Sequence, residues 1–600
     1  MNSIRLFSSR FRMTCIIRFV TSFLAVVTLT CRDSNADAPL LVELVGADIG
    51  ACIEINGLRK QIDAIPKSEW FRRSAELPFV KSWQQGQEYG KLQAGKVALE
   101  GLIGMPLDRF TSELFGDSVL MVITPNSNGN PDAILLSRAE RDDSWDRVLR
   151  LWDLLEAHDV QTMSAYGRSF QRRSKVIDGR KVGPDLFTTK VGRTLAISES
   201  EAQIRNVLAR SNADTPTGIP PSLGSSSLYK SATAALPQGC SIRAIINPRA
   251  WDTTFQKASP ADAWVSGIWN KLEWLSAGIE LRDGVVFHAV VHHETEGIPE
   301  VWQRVVQASQ VKGDFAKRLP ANSLLASEFH LDPKLVNWIS TLDQSERSQR
   351  DWRLFAIGAR GILGRDLFEE VLPHFQSVLG AAVVPSITLS ERSAPVDAVF
   401  AWEISNPEND SANSDQTTFR ESLDSGMTAL LNFAAVSHNS HNPESPAIIR
   451  RKLGSESVIR WLDGLTPYRP AFGVLEKHLL LATNPQLITS FPKTQAAPIA
   501  ESLDATPLFN SLRSRHFADR PQWLFLNASL ARQFVHDNRE PLSRQLAYWR
   551  KIETTNAGQH LDRLTELLTP FDVGFSAVKL VAGEVSFTAG LVTPAWQADK

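Results

Sequence analysis

The chain has 600 residues, 43% of them hydrophobic and 22% charged, with 64 basic against 66 acidic side chains and a formal net charge of −2 at pH 7. These proportions are ordinary for a folded globular protein, and the mild acidity excludes the basic footprint of a nucleic-acid binder.

At the N-terminus, Arg5, Arg10, Arg12 and Arg18 precede the apolar stretch from Phe19 to Leu29, and small residues follow at Ala36 and Ala38. The pattern predicts a secretory signal peptide over residues 1–38, cut after Ala36 or Ala38. Ala36 is favoured, because cleavage after Ala38 would place Pro39 just past the scissile bond. Lipid anchoring at Cys31 is disfavoured, since Thr28, Leu29 and Thr30 fit a lipobox poorly. No later apolar run is long enough to cross a bilayer, so the mature chain is expected to be exported, periplasmic or secreted, with no transmembrane span.

The stretch from Pro39 to Gly297 recurs in diverged form between Pro320 and Pro594. Leu114-Phe115-Gly116 matches Val378-Leu379-Gly380, and in both the glycine reads as a helix C-cap before a strand. Pro131-Asp132-Ala133 matches Val396-Asp397-Ala398, and the hairpin signal Asp178-Gly179 matches Asp463-Gly464. Leu195-Ala196-Ile197-Ser198 with Ile204 matches Leu479-Leu480-Leu481-Ala482 with Ile488. Polar linkers, Thr215 to Ser227 and Phe491 to Thr506, interrupt both copies. Ile245-Ile246-Asn247-Pro248 then matches Phe525-Leu526-Asn527-Ala528, and Leu281, Gly284 and Val286 match Leu580, Gly583 and Val585. The tract from Ser405 to Thr418 reads as a solvated loop.

One copy reads as an opening strand, amphipathic helices between Ser68 and Leu114, a hairpin across Val119 to Ser137, and a helix from Trp145 to His158. Further strands, a helix from Glu201 to Ala209, a Trp-rich helix with Trp264, Ile268, Leu272 and Leu275 on one stripe, and a closing hairpin complete it. The expected class is α+β: two tandem homologous domains, 39–315 and 316–600, each a mainly antiparallel sheet with helices packed on one face.

Asn56, Asn247, Asp332 and Asn527 each end an apolar strand and read as helix caps, with Pro248 and Pro333 at the first helical position after two of them. Cys52 and Cys240 remain after signal removal and are available either to one disulfide or as two buried thiols.

Chemistry-bearing motifs are sparse. Ser227-Leu228-Tyr229-Lys230 has S-x-x-K spacing but lacks the partners that would complete an acyl-transfer site. His288 and His292 share one strand face beside His293 and Glu294, a candidate metal pair without a third ligand. His438 and His441 fall in a polar loop. Arg172-Arg173-Ser174-Lys175 and Arg450-Arg451-Lys452 each lie upstream of an Asp-Gly turn, where Arg172, Arg173, Arg450 and Arg451 are candidate anion contacts or solvated strand edges. No G-x-S-x-G elbow and no H-E-x-x-H helix occurs.

Through the anchors Leu114-Phe115-Gly116, Leu195-Ala196-Ile197-Ser198 and Ile245-Ile246-Asn247-Pro248, the chain resembles bacterial exported α+β repeat proteins of unknown function. The resemblance implies an extracytoplasmic protein and transfers no catalytic residue. The expected function is a non-catalytic binding or structural role toward an envelope or extracellular partner, without cofactor or nucleic acid. The alternative is a secreted or periplasmic hydrolase with no local motif.

Overall fold

The computed structural model describes residues 40–57, 64–115, 118–125, 131–155, 158–212, 219–253, 267–336, 345–386, 389, 394–405, 419–453, 458–465, 467–475, 477–491 and 501–593. The expected signal peptide, Cys31, Gly116, Trp264 and most of the 405–418 tract lie outside them. Contacts divide the chain into two compact units, Met1–His293 and Glu294–Lys600. Residues 294–315 therefore group with the second unit, against an expected boundary at 315/316.

The first unit contains strands β1 (Ala51–Asn56), β2 (Ser118–Thr124), β3 (Asp132–Arg138), β4 (His158–Ala165), β5 (Arg168–Ile177), β6 (Arg180–Lys181), β7 (Leu186–Val191), β8 (Thr194–Ser198), β9 (Ile242–Ile246), β10 (Leu272–Glu280) and β11 (Gly284–His293). Its sheet runs β11-β10-β9-β1-β2-β3-β8-β7-β5-β4, antiparallel at every pairing, with β6 on the end of β5.

The second unit contains β12 (Leu325–His330), β13 (Phe375–Pro385), β14 (Val396–Ile404), β15 (Ile448–Leu453), β16 (Val458–Asp463), β17 (Ala471–Leu475), β18 (His478–Ala482), β19 (Gln522–Asn527), β20 (Val573–Val581) and β21 (Glu584–Val592). Its order is β21-β20-β19-β12-β13-β14-β18-β17-β16-β15, again antiparallel throughout. The two orders coincide strand for strand, and each unit is α+β.

The helices of the first unit are α1 (Glu69–Ala75), α2 (Pro78–Gln84), α3 (Gln87–Ile103), α4 (Leu107–Phe115), α5 (Ser144–Leu155), α6 (Glu201–Arg210) and α7 (Ser227–Ala234). Those of the second are α8 (Glu300–Ser309), α9 (Glu346–Leu363), α10 (Phe419–His441), α11 (Pro485–Thr489), α12 (Pro507–Leu512), α13 (Ala528–Asp537), α14 (Arg539–Arg550) and α15 (Thr554–Leu568). Strand alternation sends Leu120, Val122, Ile134 and Leu136 into one core with Ile204, Val207 and Leu208 of α6. Val119, Leu135, Leu195 and Ile197 point the other way, onto Leu114, Phe115 and Trp145. Helices thus cover parts of both faces of this sheet, which extends the one-face expectation.

Several local expectations change. Gly380 lies inside β13, and a Cβ there would stand 2.4 Å from the Phe315 ring, so the glycine makes room for an aromatic lid rather than capping a helix. The register pairs Glu54 of β1 with Leu120 and Arg243, and Glu328 of β12 with Gly380 and Trp523. Gly380 therefore corresponds to Leu120. The Trp-rich segment is not one continuous helix: residues 267–269, with Ile268, are helical, but Leu272, Trp274 and Leu275 belong to β10, whose inward residues alternate as Trp274, Ser276 and Gly278. His438 and His441 sit in the last turns of α10, not in a loop.

Among the four cap positions, Asn527 accepts from Leu530 N at 3.0 Å at the start of α13, and Asp332 accepts from Lys334 N at 2.9 Å in a turn. Asn247 precedes the short helical turn Pro248–Trp251 without a side-chain cap bond. Asn56 ends β1 opposite Ser118 and is followed by left-handed Gly57, so it caps no helix there.

Candidate functional site

Most of the sites expected from sequence resolve into internal partnerships, whereas Arg451 lies exposed on β15 and makes no side-chain hydrogen bond or ion pair among the described residues. Arg172 donates to Asp185 Oδ2 at 2.9 and 2.6 Å, and Ser174 donates to Asp185 Oδ1 at 2.5 Å. Burial opposes ionisation of Asp185, yet hydrogen bonds from Lys181, Ser174 and Arg172 outweigh it and hold the carboxyl down to about 2. Arg173 is fully buried; it pairs with Asp153, donates to Gln171 Oε1 at 2.6 Å and lies 5.6 Å from the Trp152 ring centroid. Arg450 donates to Asp463 Oδ2 at 2.6 Å. The basic clusters are not equivalent either, because the first lies on β5 and the second on β15, the outermost strand at its end of the second sheet. The arginine pair on β5 therefore holds that strand to its neighbours.

His288 is buried with Nε2 3.9 Å from Glu280. His292 Nδ1 lies 2.8 Å from Glu273 and its ring stacks on Trp274 at 4.9 Å. Each histidine has its own carboxylate, and among the described residues no three His, Cys, Asp or Glu side chains converge as a metal site would require. Cys52 and Cys240 are free, buried thiols, so no disulfide joins them. Ser227 and Lys230 sit exposed on α7, whose cap is Ser226, accepting from Tyr229 N at 3.2 Å.

Two buried carboxylates occupy matched places on the central strands. Glu54 accepts from the Tyr229 hydroxyl at 2.9 Å. Glu328 accepts from Phe315 N at 3.0 Å and lies 3.3 Å from His330 Nε2, while His330 Nδ1 lies 3.2 Å from Ala308 O. These groups are satisfied inside the core, which suits structure better than catalysis.

A large share of the exposed apolar surface lies on the chain inserted between the first two strands of each sheet, with more on α10, where Phe433 is 73% and Val436 68% exposed. Residues 57–117 connect β1 to β2, and residues 331–374 connect β12 to β13. In the first insertion, Pro78 at the first position of α2 and left-handed Gly104 after α3 set the helix ends. In the second, Ser345 accepts from Ser348 N at 3.3 Å to start α9, and left-handed Gly364 ends it. None of α1, α2, α3 and α9 contains a buried residue. Yet Phe79, Trp83, Leu92, Val97 and Leu102 are 51–65% exposed, and Leu354, Phe355 and Ile357 are 53–69% exposed. Seven-residue helices such as α1 and α2 are marginal in water without a packing surface.

Charge accompanies this apolar surface. Residues 64–103 carry six Lys or Arg against four Glu, and α9 carries four Arg against two acids, in a chain that is net acidic. Lys67, Lys81, Arg353 and Arg360 are exposed and make no side-chain hydrogen bond or ion pair among the described residues. A cavity of ≈ 240 Å³ lies where α3, α4 and α5 meet, with Leu102, Ile103, Phe110 and Arg150 in its wall. Another of ≈ 470 Å³ lies along α9 against Arg347, Asp351, Trp352 and Phe355. Sequence periodicity predicted amphipathic helices between Ser68 and Leu114. One signal was available: in α3, Val97 falls nearly opposite Leu92 and Leu99 on the helix circumference, so no single buried stripe accommodates all three.

No family model and no curated protein matches the chain. Crystal form III of TP0453 is similar to part of it, at 8% identity over 46% of this chain and 92% of that one, with a TM-score of 0.25. Crystal form I of the same protein gives 9%, 46%, 90% and 0.23. Likeness at this level adds nothing to the geometry above. No helix among the described residues is long and apolar enough to cross a membrane.

Proposed function

We propose that the protein is an exported, non-catalytic binding protein, built from a duplicated α+β unit, in which each helical insertion forms a docking surface of its own. The observation that carries this reading is the combination of four helices without one buried residue and eight large apolar side chains more than half exposed. Exposed apolar surface on that scale marks interaction sites in soluble proteins. Completing the burial of those eight side chains against a partner releases on the order of 10 kcal/mol before the costs of association. The matched strand orders support duplication, and the basic, apolar and small-residue succession at the N-terminus supports export. The interior bonding of Glu54, Glu328 and Arg172 supports a non-catalytic role.

The test uses an apolar fluorescent dye on the full mature chain and on a variant with Leu92→Ser, Val97→Ser, Leu354→Ser and Ile357→Ser. Dye binding should fall steeply while the thermal melting temperature stays within a few degrees. Undiminished dye binding, or melting lowered as by a core deletion, would show these side chains to be structural and end the docking reading.

A further inference from the structure

We propose that each insertion, taken by itself, has an anionic lipid surface as its partner, on which α2 of the first unit and α9 of the second lay their exposed apolar residues at the depth of the acyl boundary. The inference rests on the docking reading above and names its partner. A helix that lies in a bilayer interface needs three things at once: aromatic and aliphatic side chains for the boundary, cations for the headgroups, and no requirement to span.

Both insertions meet all three conditions. Trp83 and Tyr89 form an edge-on pair with ring centroids 4.9 Å apart in α2 and α3, and Trp352 meets Phe355 at 5.6 Å in α9. Trp and Tyr favour the headgroup level because their rings have one apolar and one polar end. Lys81 sits two residues from Phe79 and Trp83, and Arg353 adjoins Leu354, so unpaired cations stand among the exposed apolar groups. In α9, Arg350 and Arg353 share the outer side of the helix with Leu354 and Ile357, on the sequence's own 100° steps. Long basic stems can lay their methylenes along apolar surface while the charge reaches outward.

A protein partner with an apolar groove would want one narrow stripe, read at i, i+3, i+4 and i+7. In α2, Phe79 and Trp83 lie one turn apart, and in α9, Leu354 and Ile357 do the same, so each of these helices offers an apolar face with cations beside it, as a fluid interface requires. The local charge balance points the same way: residues 64–103 and α9 together carry ten Lys or Arg against six acids, within insertions that are neutral as a whole and a chain that is net acidic. Cations near an anionic leaflet each contribute about 1 kcal/mol at short range.

Flotation of the full mature chain with vesicles of phosphatidylcholine alone, or of phosphatidylcholine with phosphatidylglycerol, tests this. Binding should appear with the anionic vesicles only and decline as salt is raised. Lys81→Gln, Arg353→Gln and Arg360→Gln together should weaken it about a hundredfold while leaving dye binding unchanged. The serine variant should lose vesicles and dye together. If dye binds but neither vesicle does, the docking reading stands and the lipid assignment falls. The assignment also falls if both vesicles bind alike regardless of salt and of the neutralised cations, or if the insertions instead pair two copies of the chain by sedimentation.

Discussion

The Tyr229 hydroxyl, carried on α7, donates to Glu54 Oε2 on the central strand β1 at 2.9 Å. Burial raises the Tyr229 pKa above its ordinary value, and the Glu54 charge raises it further. Tyr229→Phe keeps the ring and removes the donor, leaving a buried carboxylate oxygen short of a partner. A loss of about 1–3 kcal/mol is expected in urea unfolding. A variant as stable as the parent would show that water replaces the hydroxyl.

Alkaline stability should turn on the two thiols. Burial, with the Glu54 charge next, pushes Cys52 up from 9.0 to about 12, and burial with the Glu280 charge pushes Cys240 to about 11. Between 9.0 and those values the folded chain keeps protons that the unfolded chain has released, so stability is intact below 9.0 and declines as pH rises through the window. Cys52→Ala should shrink the decline relative to the parent. Parallel unfolding free energies for parent and variant across that window would remove Cys52 from the account.

The acid limb has a different owner. His478 on β18 is held down from 6.5 to about 4, first by burial and then by the Arg318 charge. Its ring meets Phe315 edge-on at 5.6 Å. Here the unfolded chain gains protons first, so the contribution is present above 6.5 and is lost as pH falls toward 4. His478→Phe should flatten that part of the stability profile of the second unit; a profile identical to the parent would assign the acid sensitivity elsewhere.

Gly380→Ala should cost about 1–3 kcal/mol, because the added methyl meets the buried Phe315 ring. Phe315→Leu in the same chain should recover part of the loss. If the alanine alone leaves the midpoint of denaturation unchanged, the ring moves more freely than its burial suggests.

Much of the strand arrangement was legible because hydrophobic strands tolerate few offsets. The pairings of Ala133 with Ala398, Ala196 with Leu480 and Ile245 with Phe525 are also register positions on corresponding strands, β3 with β14, β8 with β18 and β9 with β19. The Leu-Phe-Gly anchor slipped by one helical turn, since Gly380 is glycine for the sake of Phe315, a residue distant in sequence. Leu272 and Leu275 misled for a related reason: apolar spacing of three or four fits a helix, while neighbouring Ile246 and His292 make the segment a sheet strand. Arg172 and Arg173 looked available because Asp185 and Asp153 lie far along the chain. The exposure of Phe79, Leu92 and Ile357 was not legible, because composition records that a side chain is apolar and not what covers it.

Each insertion leaves its sheet at one strand and re-enters at the neighbour, Asn56 facing Ser118 and His330 facing Val378. Topologically it is an overgrown hairpin turn. The entropy of closing such a loop grows only with the logarithm of its length, so the surrounding ladders scarcely register what the loop contains. Each insertion can therefore lengthen, shed helices or exchange its chemistry from one lineage to the next, at a tempo the barely perturbed sheet beneath does not set.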